Sequence, residues 1–279
     1  MLTYREEEVL KELSEWERVL FSYDKTDLES LYEKYVRKSM SFLEESKWDE
    51  LYSIVDSSLF HAYTMLLSSS LHEYSNERML STARIFNENI TDITDMKKLT
   101  IDQLHFIGQQ QMAKNRLYAC FQGGIAGTGG IAAAATDFLA LMVINIRFCQ
   151  QTSALFGSPG NTPTEIMTAL KVLHGACLPK RLQGRAWAEL MEEMERPSNY
   201  FYEGIENVAS NETVEVMLQQ TMKMFFIFLF GKKTYKKMPF VSMLIGAGAN
   251  YQYTKKITEF SYKYYQRRYL YEKLQGRTN

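Results

Sequence analysis

The sequence predicts an all-α fold: a single multi-helix domain in which two glycine-rich apolar helical segments pack together. Three observations carry this expectation. Apolar residues recur at three- and four-residue intervals through most of the chain. Period-two alternation and β-turn dipeptides are scarce. Only five prolines and no low-complexity tract argue against long linkers, and 46% hydrophobic residues suffice for a sizeable core.

The elements follow in order. Val9, Leu13, Trp16 and Leu20 recur at helical spacing among Glu and Lys, which makes an amphipathic helix whose stripe must dock. TDLESLYEKYVRKSMSFLEE predicts a second helix, capped by Thr26 or Asp27, and WDELYSIVDSSLFHAYTMLLSSSL a third. Residues 76–90 predict a helix, and a connector with Asp and Thr caps leads to another from about Ile101. SPGNTPTE (158–165) is the clearest break: Pro159, Gly160 and Pro163 stop one helix, and Thr162 or Thr164 caps the next. TEIMTALKVLHGACL and QGRAWAELMEEMER continue as helices, with Pro197 ending the second. NETVEVMLQQTMKMFFIFLFGKK is helical into a very apolar end, and one or two helices follow Pro239. Residues 1–100 are thus expected to be N-terminal amphipathic helices and residues 101–279 a helical core, together one continuous folded unit.

The net charge of −1 hides an asymmetry. Residues 1–100 hold 12 Lys and Arg against 20 Asp and Glu, residues 101–220 hold 8 against 11, and residues 221–279 hold 12 against 2. The basic C-terminal fifth either meets an anionic partner or balances the acidic N-terminal part within one fold. Cys120, Cys149 and Cys177 are too dispersed for a zinc site or a disulfide framework, so a reducing compartment is expected. The acidic N-terminus does not read as a signal peptide. The expectation is a cytoplasmic chain, which leaves the membrane surface open to it.

GGIAGTGGIAAAATDFLALMVINIR (123–147) poses the central question. Gly127, Gly129 and Ala132 satisfy GxGxxA, but a dinucleotide fold also needs a preceding strand and a later acidic residue, and neither is present. No cofactor is expected. As a membrane span the stretch exceeds the roughly 20 residues required. About half of it, however, is Gly, Ala or Thr, and Asp137 would cost about 2.5–3.5 kcal/mol near the centre. A re-entrant or helix-packed segment stays open. As a buried broken helix, Gly123, Gly127 and Ala135 permit close approach. Asp137, Leu141, Ile144 and Phe148 share one helical face, where an acid must be paired, cap a helix or line a polar cleft. Arg147 and Arg116 are its nearest cations in sequence.

The second such segment, MPFVSMLIGAGANYQYT (238–254), brings Gly246 and Gly248 and then Asn250 and Tyr251. Just before it, the apolar run Phe225 to Phe230 is followed by Lys232, Lys233, Lys236 and Lys237. Apolar residues beside a lysine cluster suit an interfacial membrane anchor. The same lysines would also suit the C-terminal carbonyls of a buried helix.

These two segments resemble the EcsC family. The first matches in Gly127, Gly129, Gly130, Asp137, Asn145, Arg147, Gln150 and Phe156-Gly157, and the second in Pro239, Gly246, Ala247, Asn250, Tyr251 and Thr254. YREEEVLKELSEWERVL also looks like the start of Firmicute members, so the resemblance spans nearly the whole chain. Ser242 departs from an expected glycine, and Thr136 stands where proline often precedes the Asp. The resemblance implies an accessory role, since some members are encoded beside an ABC transporter linked to secretion and competence. It implies no reaction.

Catalytic constellations are sparse. His61, His72, His105 and His174 form no HExxH, no metal is expected, and no GxSxG elbow occurs. The tail FSYKYYQRRYLYEK interleaves aromatics and cations, which suits lipid headgroups or RNA. With no nucleic-acid module in a chain that is not basic overall, no nucleic acid is expected as a partner. A site, if any, falls where the glycine-rich segments meet, with Asp137, Arg147, Asn250 and Tyr251 converging. Lys232, Lys233, Lys236 and Lys237 are the candidate membrane or anion contacts. The expected partners are anionic lipid or a membrane transporter, at the inner face of the membrane. The rival reading is an enzyme acting on a small or lipid-like substrate in an Asp137-lined cleft.

Overall fold

The computed structural model describes residues 1–23, 70–125, 131–178, 180–195 and 239–276. Among these residues the protein is all helical, with no strand. The helices predicted within residues 24–69 and 211–233 lie outside them.

Helix α1 (Tyr4–Phe21) opens on a capping box: the Thr3 hydroxyl accepts from the Glu6 amide, and the Glu6 carboxylate accepts from the Thr3 amide. Helix α2 (Ser70–Arg84) stops well short of residue 90. The chain turns there, Ile90 is fully buried, and the Arg84 Nε holds the Ile90 carbonyl at 2.9 Å. A short 3₁₀ turn (Thr94–Lys98) follows, organised by Asp92 and Asp95, which accept backbone and hydroxyl hydrogen bonds. Helix α3 (Ile101–Ile125) starts at Thr100, which exchanges hydrogen bonds with Gln103. Helix α4 (Ile131–Leu155) closes in a turn where Gly157 takes φ 83°. There the Ser158 amide reaches Ser153 O and the Gly157 amide reaches Ala154 O. Thr162 caps α5 (Pro163–Cys177), as the break at 158–165 predicts. Helix α6 (Lys180–Glu195) precedes α7 (Pro239–Leu274), which runs unbroken past Gly246 and Gly248.

Helix α7 is the axis of the bundle. Ile257, Phe260, Tyr262, Tyr264, Tyr265, Tyr269 and Leu270 are all buried and occupy all sides of it. Rising positions on α3 meet falling positions on α7, since His105 bonds Tyr262 and Arg116 bonds Thr258, so the two helices are antiparallel. Rising positions on α4 meet rising positions on α7, since Asn145 bonds Thr254 and Cys149 meets Ser261, so these are parallel. Helix α5 packs antiparallel to α7, from Glu165 at Arg268 to Cys177 at Tyr253. Helix α1 joins through Trp16 against Trp187 and Phe260, and Val9 and Leu13 enter the same core as the later helices.

The α3–α7 contact depends on Gly108. A Cβ there would lie 2.5 Å from the Tyr262 ring and 3.0 Å from Leu155. Tyr262 cannot swing freely, because it is buried and its hydroxyl is bonded to His105 at 3.1 Å. Gly108→Val is therefore expected to cost about 1–3 kcal/mol by overpacking. Urea unfolding checks this, and a variant as stable as wild type would show that the two helices are not held this closely.

Candidate functional site

The C-terminal ends of the two glycine-rich segments meet where α4 packs on α7, and a buried polar seam joins these helices. The Asn145 Nδ2 donates to the Leu141 carbonyl at 2.8 Å and to the Thr254 hydroxyl at 3.2 Å. One turn on, Cys149 Sγ lies 3.0 Å from the Ser261 hydroxyl. Farther along, Ser153 donates to Glu165 at 2.7 Å, and Glu165 receives both Arg268 Nη atoms, at 2.9 and 2.6 Å. Asn145, Cys149 and Ser153 are four residues apart, so one face of α4 supplies all three.

The predicted residues divide among several positions. Asn250 is buried on α7, one helical turn before Thr254. Its Nδ2, like the Asn145 Oδ1, is buried without a hydrogen-bond partner among the described residues. Tyr251, the next residue on α7, is half-buried. Arg147 is half-buried about 200° around α4 from Asn145, hence away from the seam. Burial lowers its pKa from the ordinary arginine value. Asp137 lies within α4, on the helical face of Leu141 and Phe148, both buried; its side chain is outside the described residues. Arg116, its other candidate cation, instead reaches the Thr258 hydroxyl at 3.0 Å and Glu259 at 3.4 Å. Lys232, Lys233, Lys236 and Lys237 also lie outside the described residues.

Other groups act as struts. Burial raises the Cys149 thiol to about 12 and the Cys177 thiol to about 11, so both are protonated at neutral pH. Among the described residues no cluster of His, Cys, Asp and Glu is arranged to hold a metal. A cleft of about 380 Å³ between α1 and α6 is lined by Glu17, Trp187, Met191 and Arg267. Its Glu17 carboxylate accepts from Trp187 Nε1 at 3.1 Å and Arg267 Nε at 3.2 Å, which ties α1 to α6 and α7.

Sequence reasoning missed the Glu165–Arg268 pair. Glu165 reads as an ordinary first-turn helix acid, and Arg268 lies 103 positions away. The Asn145–Thr254 bond was more accessible, because both residues stand in the motifs quoted above. Gln150, another motif residue, donates to the Gly160 carbonyl at 3.0 Å and holds the 156–162 turn against α4. Phe156 packs between Tyr262 and Tyr269.

Fold and seam together define an all-helical bundle built around a polyaromatic central helix, with the motif residues Asn145, Thr254 and Phe156 placed where helices join. The chain belongs to the EcsC protein family, whose model matches residues 7–270. No curated protein matches the chain, and no solved structure does.

Proposed function

We propose that this EcsC-family protein is a membrane-associated accessory protein. It works peripherally at the inner face of the membrane, in transport, secretion or envelope function, through anionic lipid or a membrane protein such as an ABC transporter. The supporting observation concerns where the C-terminal charge goes. On α7, Arg267 pairs with Glu17, Arg268 with Glu165, and Lys273 with Glu6 at 2.5 Å, while Lys256 donates to the Leu178 carbonyl. Tyr262, Tyr264, Tyr265 and Tyr269 between them are buried. The tail that reads as a headgroup or RNA surface is therefore spent on the core and on the acidic N-terminal helix. What remains of the basic asymmetry is concentrated in Lys232, Lys233, Lys236 and Lys237, beside the apolar run Phe225 to Phe230.

Flotation with anionic and neutral vesicles tests this reading. Wild type is expected to float with anionic vesicles. Changing the four lysines to Gln should weaken that binding by about 1 kcal/mol per charge. No flotation under any condition would remove the proposal. Among the described residues no helix is long and apolar enough to cross a membrane, which accords with a peripheral mode.

The second reading is an enzyme acting on a small or lipid-like substrate beside Asp137. It draws on the Asn145 Oδ1 and Asn250 Nδ2, a buried acceptor and a buried donor without hydrogen-bond partners among the described residues. Lipid-dependent turnover abolished by Asp137→Asn would favour it.

A further inference from the structure

The outward face of α3 differs from those of α1 and α6. Exposed positions on α1 include Glu7, Lys11, Glu12, Glu15 and Arg18, and those on α6 include Arg185, Glu189, Glu192 and Glu193. That is the solvated pattern of an amphipathic helix. Between Gln103 and Gln122 of α3 the only formal charges are Lys114 and Arg116. Arg116 turns toward α7, where it meets Thr258 and Glu259.

Phe106, Gln110, Ala113, Leu117 and Phe121 are all exposed. They recur at intervals of three and four residues and fall within about 80° of one another around the helix. This is the spacing of a seam between paired helices, and it runs for about 22 Å. Tyr118 stands beside the stripe, and Phe106, Leu117, Tyr118 and Phe121 are each half or more exposed. At the start of the stripe the Phe86 ring lies edge-on to Phe106 at 5.7 Å, and Ile85 is exposed before it in the chain. At 150–250 Å² for each aromatic side chain, these six residues leave about 600 Å² of apolar surface in water. That is the upper end of what a monomer shows in one patch and approaches the roughly 800 Å² per partner of a stable interface.

We propose that this face joins two copies of the chain, with their α3 helices packed antiparallel about a two-fold axis between Ala113 and Lys114. The stripe is its own complement. Phe106 and Phe121 lie equally far on either side of the Ala113–Lys114 bond, and so do Gln110 and Leu117. A two-fold axis at that point sets each Phe106 against the partner's Phe121 and each Gln110 against the partner's Leu117. The partner's Phe121 then meets the Phe86–Phe106 pair. Ala113 stands at the axis, where a small side chain lets two helices approach closely. Lys114 lies about 60° to one side of the stripe, with its ammonium 5.6 Å from the Tyr118 ring centre. The two lysines therefore keep to the wet rim. Aromatic residues at the centre with charge at the rim is the composition of a protein interface.

The test uses full-length protein without lipid. Sedimentation equilibrium is expected to give twice the chain mass at high concentration, falling toward the chain mass on dilution. Leu117→Glu/Phe121→Glu, at exposed positions, should melt like wild type and weaken association about a thousandfold. The register is tested separately by mild oxidation in a Cys120→Ser background. Ala113→Cys should form a disulfide-linked dimer, because the two copies of this residue face each other across the axis. Gln110→Cys should not, because its two copies stand about 10 Å apart along the helices. Chain mass at every concentration up to about 100 μM would overturn the proposal, and so would a dimer that survives the double substitution. Cross-linking at 110 as readily as at 113 would overturn it through its register. A monomer whose double variant loses flotation with vesicles would assign the face to lipid and overturn it as well.

Discussion

Glu165→Gln is expected to lower stability by about 3–5 kcal/mol, since it breaks a buried ion pair and leaves one charge behind. Glu165 is 7% exposed and receives two Arg268 bonds and one from Ser153. Burial alone would lower the Arg268 pKa, but the Glu165 carboxylate more than reverses this, and the guanidinium is held above its ordinary value. With Gln at 165, that guanidinium keeps its desolvation cost and loses its counter-ion, apart from Glu272 at 3.0 Å. The pair also joins the start of α5 to the last part of α7, so its loss acts on two helices. Urea unfolding of the variant gives the magnitude. A second variant separates pairing from packing: Glu165→Leu/Arg268→Met should recover most of the loss, as replacing both partners of a buried pair often does. Single and double variants equally destabilised would show that the contact serves through shape alone.

Trp187→Ala is expected to cost about 3–5 kcal/mol, in the range for large aromatic deletions from cores. Trp187 is fully buried and sits edge-on to Trp16, Phe260 and Tyr264 at 4.7, 5.3 and 6.3 Å. Its Nε1 also donates to Glu17. The residue is thus the point where α1, α6 and α7 meet. Its removal should increase amide exchange in α1 before that in α3, because α3 packs on α7 from elsewhere through Gly108 and Tyr262. Trp187→Phe should retain much of the packing and lose the Glu17 bond, costing about 1–2 kcal/mol. Uniform loss of protection across all helices would mean that α1 does not open as a separate unit.

Much of this architecture was legible in one dimension. Thr162 before Pro163, Glu165 three residues on and the 158–161 break specify where α5 begins, because capping is local chemistry. The stripe through Val9, Leu13, Trp16 and Leu20 showed that α1 must dock. The extent of α2 was not legible: its C-terminal boundary is fixed by Arg84 reaching Ile90 and by burial of that isoleucine, which depends on neighbours far away. For the candidate site, Asn250 was recognisable as a polar residue within an apolar run, and it is buried on α7 one turn before Thr254. The position of Arg147 away from the seam follows from helical phase, but only once Asn145 is known to mark the contact.

By itself the sequence determined the helical class, the family, the cap of α5 and the charge-free segments, all of which are written in neighbouring residues at fixed spacing. Tertiary structure alone decided how those segments and charges combine. The basic tail and acidic N-terminal helix neutralise each other because α1 lies antiparallel to α7, which brings Glu6 to Lys273 and Glu17 to Arg267. The charge-free stretches of α3 and α7 and the first half of α4, which carries only Asp137, lie toward one end because α3 and α4 run in opposite directions beside the same central helix. Chain direction and pairing across more than a hundred residues follow from packing the whole core at once, which no local pattern encodes.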